Sequence, residues 1–293
     1  MSYDAQTDLL IADELRYCKK AIEKIADFQN KVIFSPKQEI IGDIVARYIS
    51  PALYPLFMSI LDVGKKNNKL VVLRCKTSNS RMTKLLSDHG VVSYYNNDEI
   101  CTSNNNDNRV LFTDVKTGDG TSEIVGKIES LLPVNMSSQY RSRFTSKLYE
   151  LFINSQKHSK TQVPAKASAY KDKNYFYISI CDVGVGIPNN VKAFLKRYDI
   201  KDVDTMKWAF VDGHSAADNS TIISRGSGLG IIESFVKENR GKMFFVSGKA
   251  LYHIHNNKTE YITLSKPIIG TFVTIRINVD KEHIYATPEE VKL

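Results

Sequence analysis

No uncharged apolar run in this chain is long enough to cross a bilayer. The longest covers residues 48–61, and Pro51 and Pro55 interrupt it. A basic-then-apolar leader is missing too; Asp4, Asp8, Asp13 and Glu14 stand where one would be. Cysteine is scarce. Cys18, Cys75, Cys101 and Cys181 include no C-x-x-C pair, which excludes a zinc site or redox dithiol of that spacing. Cys75 and Cys181 fall in apolar, strand-like runs, where a thiol acts as a small hydrophobe. No G-x-x-x-x-G-K-[ST] loop occurs, and no βαβ unit opens with G-x-G-x-x-G. Long Lys/Arg blocks are absent although the net charge is +8. That diffuse excess reads as a solvated face and leaves nucleic acid open as a partner. Together these absences predict a cytoplasmic protein in a reducing compartment, with no membrane segment.

What is present fits two ordinary globular domains. The chain has 293 residues, 42% of them apolar and 25% charged. In residues 5–28, Ile11, Leu15, Cys18, Ile22 and Ile25 recur at spacings of three and four. This predicts an amphipathic helix, packed on its own domain or forming a seam with a second copy. Strands are predicted at Val32-Ile33-Phe34 and over 70–75, 91–95 and 110–115. Helices are predicted over 78–89 and 122–132, and the polar tract 104–108 reads as a loop. That alternation makes 1–133 a small α/β domain for regulation or partner binding, ended by Pro133.

The second domain, 134–293, reads as α+β. Ser137 and Ser138 cap a helix over 139–158. A strand follows at 176–180, then a helix-rich insert at about 190–212. A helix over 231–239 is ended by Gly241, and strands are expected at 242–246 and 271–279.

Three segments of this half carry chemistry. Glu150 and Asn154, four apart on one helix, share a face. A carboxamide oxygen there suits magnesium, and a carboxylate can polarise an attacking water. Lys157 and His158 lie about one turn on, within reach of phosphate. Asp182 ends a strand of aromatic and β-branched residues, beside Gly184 and Gly186. A carboxylate there can accept from the exocyclic amine of adenine, where guanine presents a carbonyl. Gly226, Gly228 and Gly230 run into a helix, where freed amides and the helix N-terminus favour phosphate.

In this order, E-x-x-x-N on a helix, D-x-G-x-G at a strand end and G-x-G-x-G at a helix start resemble the GHKL superfamily. That superfamily holds gyrase B, Hsp90, the histidine kinases and MutL. The resemblance covers about residues 134–280, including Gly270-Thr271, similar to the family's closing G-T strand. It implies a Bergerat-type α/β sandwich, a mixed sheet with helices on one face, that binds ATP and Mg2+. By position it implies Glu150 as base, Asn154 as magnesium ligand and Asp182 as adenine reader. Gly184 and Gly186 would lie under the adenine, and Lys157 and His158 near phosphate. Arg225, Gly226, Ser227, Gly228, Leu229 and Gly230 would form the phosphate loop, with Thr271 on the closing strand. Residues 187–225 would be an ATP lid, with Ser215 reaching phosphate on closure and His214 on its surface.

Among GHKL proteins a sensor kinase needs a phosphoacceptor His ahead of the ATP domain. Only His89 precedes residue 150, in no such motif. Gyrase-type members need a transducer domain after it, and none is read in the residues after Val279. The expectation is a slow ATPase acting as a nucleotide-driven switch, with a protein partner on the N-terminal domain and a homodimer open. The alternatives are a kinase acting on a separate protein, anti-sigma-like or histidine-kinase-like, and an ATP-binding regulator without turnover.

Overall fold

The computed structural model describes residues 8–11, 18–45, 48–75, 84, 109–115, 119–133, 135–157, 159–211 and 228–291. The expected helix 78–89 (Lys84 apart), strand 91–95 and loop 104–108 lie outside them. No helix among the described residues is long and apolar enough to cross a membrane.

The apolar run at 48–61 sets the layering. It forms a 3-10 turn, Pro51–Leu53, and a helix, Tyr54–Lys66, in which Leu56, Phe57, Met58, Ile60 and Leu61 are all buried. A helix apolar all round must be covered all round. Its prolines sit in the entry turn and first helical turn, where a missing N–H costs no hydrogen bond. In chain order the N-terminal elements are β1 (Leu9–Ile11), α1 (Lys19–Phe34), β2 (Glu39–Ile44), α2 (Tyr54–Lys66) and β3 (Leu70–Cys75). The three strands make a parallel sheet in the order β1-β2-β3.

A second sheet holds β4 (Arg109–Val115), β5 (Ala165–Lys171), β6 (Tyr175–Asp182), β7 (Lys242–His255) and β8 (Lys258–Asn278). Its order is β4-β5-β6-β8-β7, and every neighbouring pair is antiparallel. The remaining helices are α3 (Asp119–Ser130), α4 (Ser138–Lys157), α5 (Gly186–Leu195), α6 (Asp202–Ala209), α7 (Gly228–Glu238) and the short α8 (Pro288–Val291).

Two cores flank this sheet because its strands are apolar on both faces. Phe176, Ile178, Ile180, Met243, Phe245, Val273 and Ile275 pack with Phe144, Leu148, Phe152, Met206 and Phe235 from α4, α6 and α7. The alternate residues Cys181, Phe244, Val246 and Phe272 pack with Ile22, Ile25, Phe28, Phe57 and Ile60 of α1 and α2. The same core takes in Ile40, Ile44 and Leu73, so α1 and α2 lie between the two sheets.

The protein is α+β, with an antiparallel sheet and a small parallel one. Two details differ from expectation: the larger sheet is antiparallel rather than mixed, and helices cover both its faces. The run Lys242-Met243-Phe244-Phe245-Val246 already carries the reason, since consecutive apolar residues in a strand serve both sides. The packing also spans residue 134. β4 pairs with β5, and Ile124 and Ile128 of α3 belong to the core of α4.

Near the N-terminus, residues expected as helix divide differently. Ile11 belongs to β1, and Leu15 is outside the described residues. Ile22 and Ile25 are buried in α1, and Val32-Ile33-Phe34, expected as a strand, is its last turn. A short β-branched run continues a helix when tertiary burial on one stripe outweighs propensity. Ile22 and Ile25 of that stripe face both sheets, whereas Cys18 at the start of α1 is exposed.

α1 also holds β8 in shape. The β7–β8 register jumps from Gly248↔Ile268 to Ala250↔Thr263, leaving 264–267 without β7 partners. Side chains of α1 serve that excursion. Glu23 accepts from Ser265 N–H (2.9 Å), Asp27 pairs with Lys266, and Asn30 donates to Pro267 O (2.8 Å). Buried Gln29 donates to Ile269 O (2.9 Å) and accepts from Ile269 N–H (2.7 Å), as a neighbouring strand would. Gln29→Leu keeps the volume but strips both bonds. It is expected to lower unfolding free energy by about 2 kcal/mol in urea titration; a change under roughly 0.5 kcal/mol would show that Gln29 is not a clamp.

Candidate functional site

Apolar burial along β6 carries a carboxylate inward with it. Asp182 is the last residue of β6, lies opposite Thr271 of β8, and is 5% exposed. Gly184 N–H donates to its Oδ1 (2.9 Å), and Thr271 donates through backbone and hydroxyl. Burial pushes its carboxyl up from 3.8 to about 7, and those hydrogen bonds only partly pull it back. No cation is among the causes acting on it.

The turn after Asp182 is fixed by three other segments. Val185 N–H donates to Ser159 O (2.9 Å), just beyond α4. A Cβ on Gly184 would stand 2.0 Å from that same Ser159 oxygen. Gly186 has φ +76°, and Ile187 N–H donates to Ser247 Oγ (2.9 Å). Ser247 Oγ in turn donates to Gly270 O (2.7 Å). The two glycines expected beneath a ligand therefore have an internal reason to be glycine: the turn packs directly on Ser159 and Ser247.

Of the residues expected at the site, Asp182, Gly184, Gly186 and Thr271 come together, and Ser159 ties their turn to the end of α4. Glu150 and Asn154 lie on α4 as expected. Asn154 is half-buried, one turn before the helix ends at Lys157. The Glu150 side chain is 34% exposed and pairs with Lys147 (3.0 Å). The Lys157 side chain, His158, His214, Ser215, Arg225, Gly226 and Ser227 lie outside the described residues.

Gly228, Leu229 and Gly230 are the first turn of α7, which begins three residues ahead of the expected 231. Leu229 packs on the α4 core, and Gly230 is buried. Residues 187–211, expected as the first part of a lid, are built into the body. Asp202 takes Lys192 Nζ (2.6 Å) and Lys249 N–H (2.8 Å), and Met206 and Phe210 are buried. The Phe210 ring stacks on Tyr252 at 4.2 Å.

Sequence reading missed Ser159 and Ser247. Their roles depend on which strands and turns meet, and no local pattern announces that. The one available signal was Ser247-Gly248 closing an apolar run, opposite the Gly270-Thr271 step. Among the described residues no group of three His, Cys, Asp or Glu side chains is placed to hold a metal.

Comparison with known proteins assigns no family: no family model matches the chain, and no curated protein matches it.

Asp182 sets a pH dependence whose sign follows from the shift. Between about pH 4 and pH 7 the folded state holds a proton that the unfolded state has lost. Its stabilising effect is complete below 3.8 and disappears as pH rises through about 7. Asp182→Asn, which stays neutral, is expected to raise Tm relative to the native chain at pH 8 and not at pH 4. Thermal denaturation at both values checks this, and an equal Tm difference at the two would contradict a raised carboxyl.

Proposed function

We propose that the chain binds ATP with Mg2+ at a GHKL-type site of Bergerat design and hydrolyses it slowly as a nucleotide-driven switch. The observation that carries this reading is Asp182. It is a buried carboxylate at a sheet end, served by N–H and hydroxyl donors and by no cation. Such a group gains from one more uncharged donor, and the exocyclic amine of adenine is one. Thr271 beside it supplies a hydroxyl on the strand where the G-T step was expected.

The other parts fit the reading. The first N–H groups of α7 have no partner inside the helix, and a phosphate is a fitting acceptor. Asn154 would give magnesium one oxygen, the remainder coming from phosphates and water, which is how magnesium is commonly held beside nucleotides. Bound there, Mg2+ would neutralise charge on the phosphates. Glu150 would orient the attacking water once that water or another group replaces Lys147 at its carboxylate.

The Lys147–Glu150 pair also favours a second reading, an ATP-binding regulator without turnover, because Lys147 occupies the carboxylate that would have to orient water. A kinase acting on a separate protein would use the same site.

Isothermal titration with ATP and Mg2+ tests the binding. Asp182→Asn is expected to weaken ATP affinity at least about tenfold, since an amide adds a donor where an acceptor is needed. Equal affinity in both proteins would remove the adenine assignment. Asn154→Ala is expected to abolish the dependence of binding on magnesium. Glu150→Ala should bind ATP and release no phosphate if the switch reading holds. Binding without phosphate release by the native chain would select the regulator instead. Labelled phosphate recovered only on a co-purified protein would select the kinase.

A further inference from the structure

On α4, Arg143, Lys147, Glu150 and Asn154 fall at spacings of four, three and four. On a helix that spacing makes one stripe. All four residues are partly exposed, along the margin of the buried stripe of Tyr140, Phe144, Leu148 and Leu151. α7 packs on that buried stripe, with the Phe235 ring 4.6 Å from both Tyr140 and Phe144. The polar stripe thus carries two cations, one carboxylate and one carboxamide in that order. It ends at the residue proposed to hold magnesium.

The one bond within the stripe draws Glu150 the wrong way for catalysis. Lys147 Nζ donates to Glu150 Oε2 (3.0 Å). Lys147 stands three residues toward the helix N-terminus, about 4.5 Å along the axis, and Asn154 four residues toward the C-terminus, about 6 Å the other way. A carboxylate held on Lys147 is therefore turned away from Asn154, beside which the attacking water would sit. The pair does little for the helix itself. Its side chains are 21% and 34% exposed, and lysine ahead of glutamate is the less favourable order against the helix dipole. Arg143 lies four residues before Lys147, and among the described residues no carboxylate is paired with it. Like charges at that spacing repel, which favours the Lys147 ammonium on Glu150. The Asn154 carboxamide has no hydrogen-bond partner among the described residues, so of the two proposed groups only Glu150 is engaged.

We propose that Lys147 is a positioning residue that holds Glu150 off the attacking water and so sets the slow turnover of the free chain. Lys147 has this role only if ATP binds at the site as proposed above. Turnover then requires the Lys147–Glu150 bond to break. Glu150 turns toward Asn154 and takes one proton from the water. The water oxygen bonds to the γ-phosphorus as the bond to the bridging oxygen breaks, with its electron pair left on ADP, and Glu150 passes its proton to solvent. A half-exposed pair is weak, so it restrains the rate a few-fold and does not block it. For the same reason it is readily undone by salt.

Phosphate release by the full chain at saturating ATP and Mg2+, with isothermal titration of ATP on the same proteins, tests this role. Lys147→Met keeps the aliphatic length and removes the charge. It is expected to raise kcat about threefold and to leave ATP affinity within about twofold. Lys147→Arg keeps the charge and is expected to restore the slow rate. Raising KCl from about 50 to about 300 mM should raise kcat of the native chain and not that of Lys147→Met. Arg143→Gln should raise kcat by less than Lys147→Met does. A lysine that only supports the helix would shift Tm and leave kcat and its salt dependence alone. Lys147→Gln repeats the charge removal if circular dichroism shows Lys147→Met unfolded. Equal kcat in the native chain and Lys147→Met, with ATP bound by both, would overturn the role of Lys147 and leave the nucleotide reading standing. So would ATP binding without phosphate release by either protein. A lower kcat in Lys147→Met would also overturn it and place the ammonium on the phosphates. No ATP binding by the native chain would remove the nucleotide reading and this role together.

Discussion

β8 is the element on which both cores and the candidate site depend. Its outer half pairs with β6 on one side and β7 on the other. Phe272 points to one core, and Val273, Ile275 and Ile277 to the other. Just before that half, 264–267 leave the β7 register, and the backbone there must find donors and acceptors elsewhere. Glu23 and Asn30 of α1 supply them at Ser265 and Pro267, and Gln29 does the same at Ile269. The segment so held runs straight into Gly270, whose φ of +91° places its Cα hydrogen where a Cβ would stand 2.0 Å from Asp182 O. The N-terminal helix is thus part of what shapes the strand end beside Asp182.

The protein's handling of buried charge sets Asp182 apart. Asp43 is wholly buried, and Arg74 meets it with two bonds, at 2.6 and 2.8 Å. Lys166 is buried between Asp62, at 2.7 Å, and Asp114. In both places an opposite charge offsets desolvation. Asp182 is equally buried and has only neutral donors. Keeping such a carboxylate costs stability at neutral pH, and costs of this kind persist where function requires the group. Neither Asp43 nor Lys166 calls for that explanation.

Much of the second half was legible because its signals are local. Ser137 and Ser138 marked the start of α4, whose bounds match closely, and aromatic and β-branched residues marked β6. β2 and β5 were not seen. Gly42 and Asp43 break the apolar run of β2, and Ala165-Lys166-Ala167-Ser168-Ala169 alternates residues too small to announce a strand. Val32-Ile33-Phe34 misled in the other direction, since three apolar residues fit a strand or the end of a helix equally. At the site, Asp182, Gly184, Gly186 and Thr271 could be named because they sit in short motifs. Ser159 and Ser247 could not, because each gains its role from a partner 23 or more residues away.

A switch needs an element that touches both the ligand site and whatever responds, with contacts that differ between states. Ser247 and Gly270 meet that geometric requirement. Ser247 Oγ takes the Ile187 N–H at the start of α5 and gives its own proton to Gly270 O. Gly270 follows Ile269, which Gln29 of α1 holds at both backbone groups. Asp182 lies beside both, through Thr271 and through Gly184. On the proposed reading, adenine donating to Asp182 would favour its ionised form and strengthen the bonds from Gly184 and Thr271. Those bonds tighten the same turn that α5 leaves and the same strand that α1 grips. The shortest physical route from nucleotide to N-terminal layer is then a few hydrogen bonds long, and it runs through the backbone of β8 rather than through a mobile lid.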